Sequence, residues 1–246
     1  MNCLTPSLPD SNPWDIPNGL DRAFEAYFRG RHQAMAGTVL CGSPWLDADL
    51  AGLKGPPGPR IGVNLTAMAR GADYCLNCGD VRFLALANPR LHPRLTFVLA
   101  CVDTVIAWLN VHSWPENVRL YTSPPVLPPG ITETQRGLPR VYQGHNLSGP
   151  AALWLAWYMG LDPIRLCGCH CRLSPAGEYY GTKGMLEELI PDEAERRKYL
   201  ATARGLLPEF ARKTLELVEV IRADGVTIDW PGETSARESA RQEMLT

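Results

Sequence analysis

A run of hydrophobic positions between Ala151 and Met159 dominates the pattern of this chain, because nearly every residue in it is apolar. A helix that is apolar on all sides packs between two layers of structure. Ser148 is a good N-cap residue for such a helix, and Pro150 suits its first turn. Gly160 fits the position just after the helix, and the short apolar run Ile164–Cys167 that follows is typical of a buried parallel strand.

The same alternation of short apolar strands and helices extends along most of the chain. The pattern predicts strands at residues 37–41, 60–64, 72–76, 95–101, 118–122 and 226–230. It predicts helices at residues 20–30, 47–53, 191–204 and 206–223, and leaves 102–110 open between strand and helix. Strands that alternate with helices favour an α/β fold with one open, mostly parallel sheet and helices on both faces.

We place this single domain at residues 20–232. Residues 1–19 are rich in proline and are expected to form an extended arm, or a loosely docked tail. The polar residues 233–246 are expected to form a C-terminal tail, with a frayed helix as one form that it could take. The proline-rich segment 124–140 has no periodicity, and a loop of this length is either functional or loosely ordered. Because it directly precedes the apolar helix, it suits a flap over a site.

Composition narrows the class of protein. The 246 residues are 45% hydrophobic and 20% charged, an ordinary globular profile with a net charge of -2. Scattered Lys and Arg argue against nucleic acid as a partner, and no apolar run reaches the roughly 18 residues of a membrane span. The N-terminus lacks the features of a secretory signal, so we expect a cytoplasmic protein whose eight cysteines remain thiols.

Three places along the chain suit ligand chemistry. The start of the apolar helix offers free amides and a helix dipole that favour an anion, and an open α/β sheet binds ligands at the carboxyl ends of its strands. A tight turn between the first strand and its helix has a geometry common in phosphate contacts. The residues concerned are Asn146, Ser148, Gly149, Gly168, Cys169, His170, Gly42 and Ser43.

Two of these places carry a resemblance. The pattern S-G-x-x-A-x-x-x-A-x-x-x-G at residues 148–160, followed by a strand that ends in Gly168-Cys169-His170, resembles a broad Rossmann-like group. The group includes bacterial sialyltransferases that use CMP-sialic acid, flagellin-glycosylation accessory factors and hydroxymethylpterin diphosphokinases. The resemblance implies a glycosyltransferase-like enzyme that binds a nucleotide-activated sugar donor and transfers the sugar to an acceptor hydroxyl. Members usually carry Asp where this chain has His170.

The resemblance also implies roles for particular residues. Asn64, after the second strand, would help to hold the nucleotide. Asp80 matches an acidic position near the end of the third strand, with Asn77 as the alternative polar contact. Tyr180 matches tyrosines that contact the departing phosphate, and Arg172 could supply a fixed charge for the same purpose.

His170 has three interpretations. It could be the general base for the acceptor hydroxyl, since histidine titrates near neutral pH. It could instead replace the group's Asp as a ribose or metal contact, or be an ordinary partly buried histidine. We assign His170 and Asp80 as the catalytic residues. The nucleotide- and phosphate-binding residues are Gly42, Ser43, Asn64, Asn77, Asn146, Ser148, Gly149, Arg172 and Tyr180.

The cysteines raise the question of zinc. Cys75 and Cys78 have the spacing of half a zinc site, and Cys167, Cys169 and Cys171 follow the later strand. Zinc is nevertheless the less favoured interpretation, because C-x-C along a strand is not a preferred arrangement and buried cysteine is a common small core residue. We predict no metal ligands among these residues.

Two alternative functions stay open. The pterin members imply diphosphate transfer from ATP, which would require magnesium and Asp80. A non-catalytic accessory protein could instead have kept the fold without the Asp. The expected partner is a small-molecule nucleotide donor. The donor base and sugar, the acceptor, and the formation of a homo-oligomer are not determined by the sequence.

Overall fold

Seven short strands form one sheet in the computed structural model of the chain. The structure describes residues 24–55, 58–78, 81–100, 103–113, 115–121, 147–174, 186–187 and 190–243. The strands are β1 (Gly37–Leu40), β2 (Arg60–Val63), β3 (Tyr74–Asn77), β4 (Thr96–Ala100), β5 (Val118–Tyr121), β6 (Ile164–Cys167) and β7 (Ile228–Asp229). All of them run parallel, in the order β5-β4-β3-β2-β1-β6-β7. The predicted α/β fold with an open parallel sheet is confirmed.

Helices cover both faces of the sheet. The described part of α1 is residues 24–28, and the others are α2 (Leu46–Ala51), α3 (Leu65–Ala69), α4 (Val81–Leu86), α5 (Asp103–His112), α6 (Ser148–Tyr158), α7 (Glu193–Gly205), α8 (Leu207–Ala223) and α9 (Glu233–Glu243). One apolar cluster joins α1, α6 and α8 to the sheet, and a second joins α4 and α5 to its other face. The segment 102–110, left open by the sequence, lies mainly in α5.

The strand order reverses between β1 and β6. Strands β1 to β5 follow one another outward in one direction, whereas β6 returns to the other side of β1. Leu40 pairs with Cys167 at the last register position, and the amide of Cys41 donates to the carbonyl of Cys167 at 2.8 Å. Such a reversal opens a crevice beyond the carboxyl ends of the two strands, which is where open α/β sheets bind ligands.

Helix α6 is the central element that the hydrophobic pattern predicted. Eight of its eleven residues are buried, and Gly160 follows it with φ +80°. One detail of the prediction is wrong. The N-cap residue is Leu147, in an extended conformation without a side-chain cap, and Ser148 is the first helical residue. The Ser148 hydroxyl instead lies 3.5 Å from Oδ1 of Asn64, across the crevice from its own helix.

The expected polar C-terminal tail is largely helical, and its helix is packed rather than frayed. Most of it forms α9, which packs along α8 with Ala236 fully buried. Arg222 of α8 donates to Glu233 at 2.7 Å, and Arg237 donates to the same carboxylate at 2.6 Å. The predicted arm at 1–19 and the flap at 124–140 lie outside the described residues. Within the described parts of the chain, no helix is both long enough and apolar enough to cross a membrane.

Candidate functional site

A cavity of about 640 Å³ lies at the carboxyl ends of the strands, on the crevice between β1 and β6. Its floor consists of strand ends, one wall is the start of α6, and the opposite wall is formed by α7 and the start of α8. This volume is typical of pockets for small molecules and cofactors. The lining includes Cys41, Gly42, Ser43, Val63, Asn64, Asn77, Cys78, Ser148, Gly149, Gly168, Cys169, Cys171, Arg172, Leu206, Leu207 and Phe210.

Two glycines allow the walls of the cavity to approach each other. Gly168 has φ +67°, and a Cβ atom there would overlap the carbonyl oxygen of Cys41. Glycine is therefore required where the end of β6 meets the end of β1. A Cβ atom at Gly149 would overlap the ring of Phe210. The close packing of α8 against α6 is sufficient to explain why residue 149 is a glycine, and no bound ligand is required for it.

The start of α6 provides hydrogen-bond donors. The first amides of an α-helix have no partner within the helix, and the cap residue Leu147 offers no side chain to replace one. Pro150 has no N–H, so the donors left at this end are those of Leu147, Ser148 and Gly149, and all three residues line the cavity. Together with the helix dipole, these amides favour a bound anion.

The hydroxyl of Ser43 lies at the end of β1, on the turn that leads to α2. Ser43 is only 9% exposed, and its Oγ has no hydrogen-bond partner among the described residues. A buried hydroxyl without a partner costs about 1–3 kcal/mol of desolvation free energy. Because Ser43 also lines the cavity, a ligand oxygen there would remove this cost.

Asn64 occupies a tight turn between β2 and α3. Its backbone has φ +49° and ψ -134°, which is rare for a residue with a side chain. The turn is compact because Gly62 lies directly against Ala67, where a Cβ atom would not fit. Oδ1 of Asn64 accepts from Nδ2 of Asn77 at 2.9 Å. The amide group of Asn64 is thereby oriented, and Asn64 lines the cavity.

Positive charge surrounds this set of donors. Arg172 and Arg82 both line the cavity. The Arg172 guanidinium lies 4.9 Å from the ring centroid of Trp45, and that of Arg82 lies 5.2 Å from the ring of Tyr199. The described lining residues include no Asp, Glu or His. The cavity is therefore suited to an anionic ligand that also presents apolar surface, the latter to Leu206, Leu207 and Phe210.

His170 lies elsewhere. Its Nε2 donates to the Asp49 carboxylate at 3.1 Å, its ring stacks on Trp45 at 4.8 Å, and it is not among the lining residues. The same carboxylate accepts the Gly168 amide at 2.7 Å. The role of His170 as the base stays a prediction. His170 and Asp49 hold the loop after β6 against α2. No sequence pattern distinguished Asp49 from an ordinary polar residue in a short helix.

Four cysteines with free thiols also line the cavity, namely Cys41, Cys78, Cys169 and Cys171. Burial raises the pKa of Cys78, which accepts a hydrogen bond from the Tyr121 hydroxyl at 3.1 Å. Cys75, by contrast, is enclosed in the core on the other side of the sheet. Within the described ranges, no group of three or more His, Cys, Asp or Glu residues is arranged to hold a metal ion.

The structure thus brings together most of the predicted binding residues. Those that line the cavity are Gly42, Ser43, Asn64, Asn77, Ser148, Gly149 and Arg172. Asp80, Asn146 and Tyr180 lie outside the described residues. Sequence reasoning missed Arg82, which follows the third strand by only a few positions, and the apolar wall formed by α8.

Comparisons of the chain with known proteins add no family to this description. A scan against protein-family models, a search of curated proteins and a search of solved structures each gave no match. The cavity geometry is therefore the basis for a functional proposal.

Proposed function

We propose that the cavity binds a nucleotide-activated donor through its phosphate, and that the protein is a glycosyltransferase-like enzyme that transfers the donor's sugar to an acceptor hydroxyl. The observation that supports this best is the buried hydroxyl of Ser43, which has no partner among the described residues and belongs to the lining of the same cavity as the first residues of α6. Two independent sets of unused donors then converge at the point where the strand order reverses.

The donors suggest how a phosphate would be held. Its oxygens would accept hydrogen bonds from the Ser43 hydroxyl, the Asn64 amide and the first amides of α6. Hydrogen bonds to a charged acceptor contribute about 1.5–3 kcal/mol each, so three of them supply about 4.5–9 kcal/mol, and the cost of association offsets much of this. Tight binding therefore also requires contacts with the rest of the ligand. The apolar side chains of Leu206 and Phe210 would cover the base or the sugar.

The transfer step would break the bond between the anomeric carbon and the phosphate oxygen and form a bond from that carbon to the acceptor oxygen. Arg172 would stabilise the negative charge on the leaving phosphate. The acceptor proton needs a base, and the described lining residues offer no carboxylate or imidazole. The role of Asp80 as a catalytic residue therefore stays a prediction. The same applies to its role in the alternative reaction, magnesium-dependent diphosphate transfer from ATP.

The same observation favours a second candidate, a non-catalytic nucleotide-binding protein. A cavity with donors, positive charge and no acid or base among its described lining residues can bind an anion without reacting with it. Both candidate functions predict the same ligand, and only the enzyme is expected to convert it to products.

A nucleotide panel tests both. Purified protein is screened by thermal shift against CMP, UDP, GDP, their sugar conjugates and ATP, each with magnesium or with EDTA. We expect stabilisation by at least one nucleotide, since a ligand at one hundred times its Kd adds about 2.7 kcal/mol. Release of free nucleotide from the matching sugar conjugate identifies an enzyme, and binding without release identifies the non-catalytic protein. A shift only with ATP and magnesium supports diphosphate transfer, and a flat panel contradicts the proposal.

A further inference from the structure

The loop after β6 places two thiols side by side in the cavity wall. Cys169 and Cys171 both line the cavity, and their Sγ atoms lie 3.9 Å apart. Both residues are buried in the fold, at 1% and 3% exposure, so the cavity is the route by which a small reagent would reach them. Cys167, two residues earlier, faces a different apolar cluster with Leu40 and Leu46.

The backbone explains why the two sulfur atoms meet. In an extended strand, residues i and i+2 are separated by about 6.6 Å, which is long for a disulfide. Cys171 leaves the extended conformation, with φ +53° in the left-handed region that residues with side chains rarely adopt. This turn curls the chain after His170, so that the sulfur atoms of Cys169 and Cys171 are in van der Waals contact.

We propose that Cys169 and Cys171 form a reversible oxidation site in the cavity wall, which small neutral disulfides convert into an intramolecular disulfide. The sulfur of Cys171 attacks the reagent disulfide, forms a mixed disulfide and releases one thiol. The sulfur of Cys169 then attacks the Cys171 sulfur and releases the second thiol. Two protein thiols are oxidised, and the reagent is reduced to two thiols.

The position of the thiols sets this order. Cys171 lies next to Arg172 at the outer end of the loop, whereas Cys169 lies deeper and also hydrogen-bonds Cys41 and Thr214. The contact with Cys171 and burial raise the pKa of Cys169 well above that of an ordinary thiol, although its hydrogen bonds with Cys41 and Thr214 act in the other direction. Since a thiolate is required at each step, we expect oxidation over hours rather than seconds.

Trypsin provides a direct measurement on the full chain. Cleavage after Arg165 and Arg172 releases the peptide LCGCHCR, which contains Cys167, Cys169 and Cys171 together. The protein is treated with excess bis(2-hydroxyethyl) disulfide, blocked with N-ethylmaleimide in denaturant, digested and analysed by mass spectrometry. We expect one labelled cysteine, Cys167, and a disulfide between the other two that dithiothreitol reverses.

Cys167→Ser is the matched control, because it changes the same peptide and should leave the disulfide intact. Cys169→Ser and Cys171→Ser should each abolish it, with circular dichroism confirming that the variants are folded. Three labelled cysteines in oxidised wild-type protein would overturn the proposal, and so would a disulfide that uses Cys167 or a cross-link from Cys169 to Cys41. The wild-type result decides the matter even if a variant fails to fold.

Discussion

Asp49 should matter more for stability than any other carboxylate of α2, because it holds the loop that lines the cavity. Its side chain accepts the Gly168 amide at 2.7 Å and Nε2 of His170 at 3.1 Å, in a residue that is 8% exposed. Asp49→Ala leaves both donors without a partner in a site largely closed to water. Two hydrogen bonds to a charged acceptor contribute about 1.5–3 kcal/mol each, so we expect a loss of about 3 kcal/mol or more in the free energy of unfolding.

Asp47 provides the matched control on the same helix. Its carboxylate pairs with Arg70 at 2.9 Å, but its side chain is 73% exposed, and exposed ion pairs contribute less than about 1 kcal/mol. Urea denaturation of wild type, Asp49→Ala and Asp47→Ala measures both effects under one condition. If Asp49→Ala costs no more than Asp47→Ala, the role that we assign to the contact between α2 and the β6 loop is wrong.

Two further predictions concern a glycine and an acid. Gly168→Ala should lower the free energy of unfolding by about 2 kcal/mol or more, since the added Cβ would overlap the Cys41 carbonyl. The control is Gly225→Ala, which should cost only about 1 kcal/mol, because Gly225 has φ +87° but lies in open space. Equal losses of stability in urea denaturation would refute the close approach of Gly168 to Cys41. Hydrogen bonds from Arg222, then Arg237, lower the pKa of Glu233 from 4.5 to about 2. The folded form then prefers the carboxylate, so its contribution is complete above pH 4.5 and is lost as the pH falls towards 2. Glu233→Gln should remove this part of the pH dependence of the unfolding free energy, which is about 1 kcal/mol after solvent screening. Glu216→Gln, a change at an exposed residue, is the control and should leave this pH dependence in place. Denaturation curves at a series of acidic pH values measure both.

The sequence predicted the fold well because the strands are short apolar runs separated by turn-forming residues. The short apolar run around Leu166 is typical of a buried parallel strand. Helix α6 is apolar on nearly all sides, so it packs between the sheet and a second layer of helices. The end of the chain was harder to predict. Helix α9 buries mainly small residues such as Ala236 and Ser239 and is otherwise polar, so the segment contains no large apolar residues that would predict a packed helix.

The cavity was predicted less completely than the fold. The turn residues Ser43 and Asn64 follow predicted strands, so their convergence could be expected from parallel topology alone. The contact of His170 with Asp49 joins positions 121 apart in the chain, and no local pattern distinguishes a histidine that faces a cavity from one that faces a carboxylate. The same limit applies to Ser148, whose hydroxyl turns to Asn64 instead of capping its own helix.

The most direct test of the account is calorimetric titration of wild type and Ser43→Ala with the nucleotide that gives the largest thermal shift. The account predicts that the substitution weakens binding about tenfold, or 1.4 kcal/mol, without lowering the free energy of unfolding, because the hydroxyl has no described partner in the unliganded protein. Ser235→Ala, a change at a buried serine of α9, should leave the affinity unchanged. Equal affinity in wild type and Ser43→Ala, or no nucleotide binding at all, would contradict the phosphate site at the end of β1.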